Sequence, residues 1–198
     1  LAQNISAERH RAGQTLEQAI THAMQGLGMA GGAFQVEIAK SSSPLQSGMD
    51  DVTFMIAGHA GSTPRPISRI ASGGELSRLA LAIAVTTSRN GTAATLIFDE
   101  VDAGVGGSVA ETVGQRLREL GADRQVLAIT HLPQVAACAD QHLVVEKELQ
   151  GTSTLSSVYL VQGREREQEI ARMLGGKGIA ETVMAHAKEL LKEKLGAP

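Results

Sequence analysis

The hydrophobic positions of this chain repeat with two different periods. Over residues 1 to 27, apolar side chains recur three or four positions apart among polar ones, which predicts an amphipathic helix. Several glycines follow directly and end it. Residues 34 to 38 alternate between apolar and polar, and residues 52 to 57 continue this strand-like pattern. We expect two neighbouring strands, with the Ser- and Pro-rich residues 41 to 44 as a loop between them.

Short uninterrupted apolar runs mark the second half of the chain. Residues 95 to 98 and 126 to 129 are too short for helices, and we predict strands that are buried on both faces. Helices are predicted over residues 73 to 88 and 109 to 121. This alternation of strand and helix indicates an α/β fold with a largely parallel sheet flanked by helices.

The end of the chain predicts a different arrangement. Pro133 suits the first turn of a helix that we expect to run through Ala139 and to bury Cys138. Beyond it we predict a hairpin and two helices: residues 143 to 147 paired with 154 to 161, then helices near 165 to 174 and 180 to 195.

Composition excludes several classes of function. Of 198 residues, 42% are hydrophobic and 20% are charged, which is the balance of a globular protein. The net charge of −3 argues against a basic nucleic-acid footprint, and 2% aromatic residues are too few for a base-stacking surface. One cysteine excludes a disulfide framework, and the histidines lack the spacing of zinc ligands. No apolar run reaches about 18 residues, so we expect a cytoplasmic protein that does not span a membrane.

Residues 26 to 31 match the dinucleotide-binding pattern Gly-x-Gly-x-x-Gly. That pattern needs a strand before it and a helix after it. Here the predicted helix precedes and the predicted strand follows, so we interpret the glycines as a connector.

A second glycine-containing motif is Ser72-Gly73-Gly74-Glu75, at the start of a predicted helix. Ser72 and Glu75 have the spacing of a capping box, in which each side chain satisfies a free backbone amide. Glycine in a first helical turn is costly, and a capping box does not require it. Paired glycines also bare the amides at the positive end of a helix dipole, which favours phosphate binding. Both interpretations stand at this point.

Polar residues follow the two predicted parallel strands. Asp99 and Glu100 end the first strand, where parallel sheets place their ligands. Successive residues of an extended chain point in opposite directions, so one carboxylate could support Mg²⁺ while the other orients water. His131 follows the next strand, which we expect to lie beside the first. The alternatives are a solvated strand end for the acidic pair and an ordinary surface or core histidine.

In this order, the motifs resemble the second half of an ABC-type ATPase head. Ser72 to Glu75 resemble its signature motif, Leu96 to Glu100 its Walker B strand, Asp102 its D-loop aspartate and His131 its switch histidine. Glu75 and Val101-Asp102 are similar to SMC-like proteins rather than to membrane transporters. Three segments, residues 71 to 78, 98 to 107 and 130 to 136, resemble the RecN family of bacterial DNA repair proteins, and the resemblance extends over residues 16 to 195.

A Walker A loop is missing from the sequence, since Gly176-Lys177 is followed by Gly178 and lacks the upstream glycine of that motif. The resemblance therefore implies the C-terminal lobe of a head, with residues 1 to 30 as the end of a coiled-coil arm and its connector, and residues 31 to 198 as the lobe. It implies partners as well: an N-terminal Walker A lobe of the same protein, a second head in a homodimer, and DNA through the complete protein.

The resemblance also assigns roles and cofactors, namely ATP and Mg²⁺. Asp99 would support Mg²⁺, Glu100 would orient the attacking water and His131 would contact the γ-phosphate region. Asp102 would couple the two sites of a dimer. The signature residues, Ser72, Gly73, Gly74 and Glu75, would meet the nucleotide of the opposite head.

The implied function is ATP-driven head engagement in DNA double-strand break repair and recombination, in the cytoplasm at the nucleoid. We expect this chain to be inactive without a Walker A lobe. Two alternatives remain: a non-catalytic, architectural DNA-bridging module, and the head of another SMC-like chromosome protein.

Overall fold

The computed structural model describes residues 2–88, 93–150, 153–175 and 180–195. They form two compact units, which divide after Ile129. The helices are α1 (Ala2–Gln25), α2 (Gly73–Thr86), α3 (Gly107–Gly121), α4 (Pro133–Ala136), α5 (Gly163–Gly175) and α6 (Glu181–Leu195). The strands are β1 (Ala33–Leu45), β2 (Gly48–Ala57), β3 (Arg65–Pro66), β4 (Thr95–Phe98), β5 (Gln125–Ala128), β6 (His142–Gln150) and β7 (Ser153–Val161). No helix in these ranges is both long enough and apolar enough to cross a bilayer. The predicted α/β class is confirmed.

The first unit begins with the predicted N-terminal helix, which packs on a hairpin. The α1 helix buries Ile20 and Met24 and contacts β1, β2 and α2. It is also tied to β2 by Asp50, which accepts hydrogen bonds from Ser6 Oγ at 2.9 Å and Arg9 Nη1 at 3.0 Å. This helix is therefore an integral part of the first unit.

The glycine connector after α1 needs its glycines for backbone reasons. Gly28 and Gly31 have φ values of +75° and +70°, in the left-handed region that disfavours residues with a Cβ. The Gln25 side chain closes the turn, because its Oε1 accepts from Gly31 N at 2.8 Å. The helix-then-strand order confirms that these glycines do not open a dinucleotide-binding helix.

The hairpin of β1 and β2 is longer than predicted. The strands pair antiparallel from Ala33–Ala57 to Lys40–Asp50, and pairing resumes at Leu45–Gly48 after an irregularity. The prediction of a loop over residues 41 to 44 was wrong, because a bulge lets an edge strand carry serines and a proline without ending.

The parallel pair of the first unit is β4 and β5, in register from Thr95–Gln125 to Phe98–Ala128. The remaining strand pairs among the described residues are antiparallel. The strands were predicted to be buried on both faces, but Ile97 is 67% exposed and Leu127 is 42% exposed. The prediction was wrong for these residues, since Phe98 is buried while Ile97, its neighbour on the other face, is open.

The second unit contains the predicted hairpin and the last two helices. Strands β6 and β7 pair antiparallel from His142–Val161 to Gln150–Ser153. Helix α4 begins with Pro133 at its first turn, but it ends at Ala136 rather than Ala139. Arg166 of α5 donates a hydrogen bond to the Ala139 carbonyl at 2.5 Å. A side chain therefore satisfies this carbonyl after the helix has ended. Cys138 is buried, as expected. The core of this unit consists of Ala136, Ala137, Ile170, Ala171, Ala187, Leu190 and Leu191.

Candidate functional site

The start of α2 is built around Ser72. Ser72 has an extended backbone, and its Oγ accepts a hydrogen bond from Glu75 N at 3.3 Å, which makes it the N-cap. Gly73 and Gly74 form the first turn, with Gly73 exposed and Gly74 buried. This half of the predicted capping box is confirmed.

The Glu75 carboxylate does not return to Ser72. It lies against Gly58, where an added Cβ would collide with its Oε1, and 3.4 Å from Arg65 Nη2. Because the reciprocal bond of a capping box uses this carboxylate, that part of the prediction was wrong. Glu75 instead ties the start of α2 to the segment after β2.

The acidic pair lies at the carboxyl end of β4, as predicted. Asp99 Oδ1 accepts from Glu100 N at 2.9 Å. Glu100 has a φ of +56°, the single positive value for a residue other than glycine in the described part of the chain. A left-handed residue with a Cβ costs roughly 1 to 2 kcal/mol. The prediction that the two carboxylates point apart by strand alternation was wrong, because a tight turn at Glu100 sets their directions.

The turn after the acidic pair is largely buried. Val101 is fully buried and Asp102 is 2% exposed. Ala103 N donates to Glu100 O at 3.0 Å, and Val105 N donates to Asp102 O at 3.3 Å, so two consecutive turns carry the chain toward α3. Asp102 therefore lies inside the first unit and is not at its surface.

Helix α2 packs its first turns directly on this acidic turn. The Glu100 carboxylate lies against Gly73, at the place that a Cβ of residue 73 would occupy. Ser77 Oγ, one turn later, donates to Asp99 O at 2.5 Å. The structure thus joins the motif at residues 72 to 75 and the acidic pair into one site within the first unit.

Arg78 adds a buried contact to the same site. Its Nη1 donates to Ala103 O at 2.7 Å, and a Cβ at Gly74 would lie 2.9 Å from Ala103 Cβ. Burial lowers the pKa of the Arg78 guanidinium, and the nearby charge of Glu75 partly opposes this effect. Sequence reasoning missed the roles of Ser77 and Arg78. Ser77 follows Gly73 by four residues, and Arg78 follows Gly74 by four, so each lies on the same helix face as its glycine. This spacing could have identified both residues from the sequence.

His131 is exposed and belongs to the second unit, directly before Leu132, the N-cap residue of α4. Leu132 N donates to Thr130 Oγ1 at 3.0 Å, which orders the backbone around the histidine. The residues that the structure brings together are Ser72, Gly73, Gly74, Ser77, Arg78, Asp99, Glu100, Asp102 and Ala103.

The chemistry of this site suits one metal contact and one phosphate. Within the described ranges, no group of three or more His, Cys, Asp and Glu residues could hold a metal ion. Magnesium usually takes one or two protein carboxylates and completes its shell with water and phosphate oxygens. The exposed Asp99 carboxylate fits that requirement, and the glycine-lined start of α2 offers backbone amides to an anion.

No family model matches the chain. Among curated proteins it is similar to the DNA repair protein RecN of Xylella fastidiosa, with 44% identity over 97% of this chain and 35% of that protein. The RecN of Vibrio cholerae is 42% identical over 96% of this chain and 34% of its own length, and that of Streptomyces coelicolor is 41% identical over 97% and 36%. The chain spans about a third of the length of these relatives.

Solved structures show the same fold. The Smc head domain with a coiled coil and joint from Pyrococcus yayanosii superposes with a TM-score of 0.58 at 20% identity, over 81% of this chain and 29% of that one. A second neighbour comes from work on ATP-driven dimerization and DNA-stimulated activation of SMC ATPases; it has a TM-score of 0.54 at 18% identity, over 88% of this chain and 99% of that one.

Proposed function

Because the chain belongs to the RecN family and corresponds to the C-terminal third of its members, we propose that it is the lobe of an ATPase head that carries the signature motif and the catalytic carboxylate. In the complete protein, nucleotide-driven engagement of two heads serves DNA double-strand break repair and recombination. The observation that carries this proposal is that the first unit exposes both chemical features a head needs: an N-capped helix start with paired glycines at α2, and an acidic pair at the carboxyl end of the parallel strand β4.

The start of α2 has the chemistry to meet a terminal phosphate. Gly73 is exposed and has no side chain to cover its backbone, so an anion can reach it once the mobile end of the exposed Glu100 side chain turns away. The N-cap arrangement at Ser72 keeps the first amides of the helix aligned with its dipole. In the proposed dimer, Ser72, Gly73 and Gly74 face the nucleotide held by the opposite head. Glu75 supports this turn through its contacts with Gly58 and Arg65.

The acidic turn supplies the groups for hydrolysis. Magnesium, when bound, neutralises charge on the phosphates and orients them. Asp99 is the protein ligand for that ion, and its Oδ1 is already oriented by the amide of Glu100. The Glu100 carboxylate accepts a hydrogen bond from the attacking water and so aligns it. His131 contacts the γ-phosphate region. Asp102 links the two nucleotide sites of a dimer through the turn that it holds, since its own side chain is buried.

The open face of the β4–β5 pair is where we place the N-terminal Walker A lobe of the same protein. Ile97, Leu127 and Ile129 are 67%, 42% and 58% exposed. They lie on or directly after β4 and β5, whose apolar sequences are typical of buried strands. An apolar sheet face of this kind is stable in water only when another element covers it. About two thirds of the relatives' length lies outside this chain, which is enough to supply that lobe. Residues 1 to 30 are proposed as the end of the coiled-coil arm and its connector.

The proposed head function also implies further partners and a cellular location. A second copy of the head completes each nucleotide site, and DNA is bound through the complete protein. We place that protein in the cytoplasm, at the nucleoid. The alternative is a non-catalytic architectural module that bridges DNA without nucleotide turnover.

The decisive experiment is Glu100→Gln in the full-length protein. We expect nucleotide binding to persist while steady-state hydrolysis falls by about a hundredfold or more, because water loses its orienting carboxylate and Asp99 remains. Glu148→Gln, an exposed carboxylate on β6, is the matched control and should leave turnover unchanged. Absence of ATP hydrolysis by the parent protein would favour the architectural module, and parental turnover by the variant would remove Glu100 from the catalytic role.

A further inference from the structure

Arg78 is a buried cation at the centre of the site. The residue is 9% exposed, and its Nη1 donates a hydrogen bond to Ala103 O at 2.7 Å. Its Nε is buried and has no hydrogen-bond partner among the residues that the structure describes. Removing a guanidinium from water is costly, and an apolar side chain of similar length would fill the same space without that cost. The directed bond to the Ala103 carbonyl is therefore what this arginine contributes beyond packing.

Three segments meet around the Arg78 side chain. The first is its own helix, where a Cβ at Gly74 would lie 3.1 Å from Arg78 Nη1. The second is the turn that carries Asp102, reached through Ala103 O. The third is the connector after α1, where a Cβ at Gly28 would lie 4.0 Å from Arg78 Nε. Gly28 in turn packs on the residues that follow the acidic turn, since its Cβ position is 3.2 Å from Val105 Cγ1 and Val109 Cγ1.

We propose that Arg78 is a positioning residue that couples the start of α2 to the turn of Asp102 and to the connector after α1. This proposal rests on the proposed function, and it names the residue through which that site is regulated. A phosphate that binds the Gly73 and Gly74 amides displaces the first turn of α2. Arg78, on the next turn, is hydrogen-bonded to the Ala103 carbonyl and moves with it. The turn of Asp102 then moves with α2, and the packing of Gly28 on Val105 and Val109 passes the movement to the end of α1.

The spacing of the contacts supports this direction of coupling. Gly74 and Arg78 are four residues apart and lie on one helix face, so a displacement of the first turn is transmitted to Arg78 without rotation. Space is limited at both glycines beside the Arg78 side chain, because a Cβ at Gly74 would lie 2.9 Å from Ala103 Cβ and a Cβ at Gly28 would lie 3.2 Å from two valine methyl groups. A packed junction of this kind switches between discrete arrangements rather than deforming gradually.

The test compares Arg78→Met and Arg78→Lys with the parent in the full-length protein. Arg69→Met, an exposed arginine on the 3₁₀ turn at residues 67 to 69, is the matched control. We expect Arg78→Met to lower kcat by about tenfold while the Kd for ATP stays within about twofold, and Arg78→Lys to recover part of kcat. Amide hydrogen exchange at Ala103 to Val105 should become faster in Arg78→Met and should no longer respond to ATP.

Two results would overturn the proposal. One is a folded Arg78→Met protein whose kcat and exchange at residues 103 to 105 match the parent. The other is a uniform loss of ATP affinity, kcat and thermal stability, which is the signature of packing alone. If the parent itself does not hydrolyse ATP, the proposed function fails, and the exchange measurement then decides the role of Arg78: unchanged exchange in Arg78→Met rejects it.

Discussion

The carboxylate of Glu100 lies against Gly73, at the position that a Cβ of residue 73 would take. These residues are 27 positions apart, and each belongs to a different motif. The negative charge of the carboxylate is close to the positive end of the α2 dipole, an arrangement that is favourable without a direct hydrogen bond. A side chain at position 73 would thus displace the Glu100 carboxylate of the same chain, in addition to obstructing any ligand that the helix meets.

The first prediction follows from this contact. Gly73→Ala should displace the Glu100 carboxylate and narrow the anion site, so ATP-dependent head engagement and hydrolysis should both fall. Folding should change little, because Glu100 is exposed and its side chain can rotate away, while alanine favours the helix by up to about 1 kcal/mol. Turnover and ATP-dependent dimerisation of the full-length protein measure the effect.

The control for this substitution is Gly121→Ala at the end of α3, where an added Cβ meets no atom of the described residues within 4 Å. That variant should retain parental turnover and engagement. If Gly73→Ala also behaves like the parent, the close contact with Glu100 has no functional consequence.

The second prediction concerns the chain alone. The 198-residue chain should neither bind ATP tightly nor hydrolyse it, because the phosphate cradle of a Walker A loop is missing from its sequence. Adding the N-terminal part of the protein should restore turnover and protect Ile97 and Leu127 from solvent. Isothermal titration with ATP and hydrogen exchange at residues 95 to 98 test the two halves of this statement. Substantial hydrolysis by the purified chain would contradict the placement of the Walker A lobe elsewhere.

The third prediction uses a histidine of the second unit. The pKa of His142 is lowered by burial and by the charge of Arg166, with a smaller opposing effect from Glu169. Its buried Nδ1 lacks a hydrogen-bond partner within the described part of the chain, so the neutral ring is the form that the fold accepts. Because the folded pKa lies below the unfolded value near 6.5, this contribution to stability is complete above that pH and is lost as pH falls through the folded pKa.

Thermal unfolding at about pH 7.5 and about pH 5.5 measures this effect, since the interval spans the ordinary histidine pKa. The loss of stability on acidification should be smaller in His142→Leu than in the parent. His186→Gln, at an exposed position of α6, should leave the pH dependence unchanged. Equal acid sensitivity in His142→Leu and the parent would show that His142 does not titrate on unfolding.

The fourth prediction concerns DNA. The net charge of −3 and the scarcity of aromatic residues give this chain little with which to hold duplex. The isolated chain should therefore bind duplex DNA weakly, and the complete protein should bind it more tightly with a steeper salt dependence. Titrations at low and moderate salt compare the two. Equal affinity and an equal salt slope would place the DNA site in this chain.

Local chemistry explains what could be predicted from the sequence alone. The helix α1, the N-cap at Ser72 and the β6–β7 hairpin were all predicted, because periodicity, capping side chains and turn glycines act over a few neighbouring residues. The order of motifs was also readable, and with it the family, since the residue types themselves carry that resemblance.

Only the tertiary structure decided where the polar atoms of the site go. Glu75 has the spacing of a capping box, yet its carboxylate lies against Gly58; Glu100 follows a strand, yet its backbone is left-handed. Arg78 and Ala103 meet across 25 positions. These outcomes depend on which segments pack together, and long-range packing leaves no periodic trace in a sequence. The exposed face at Ile97 has the same explanation. The apolar sequence of β4 predicts a buried strand, whereas the exposure of Ile97 depends on whether another part of the protein covers this face.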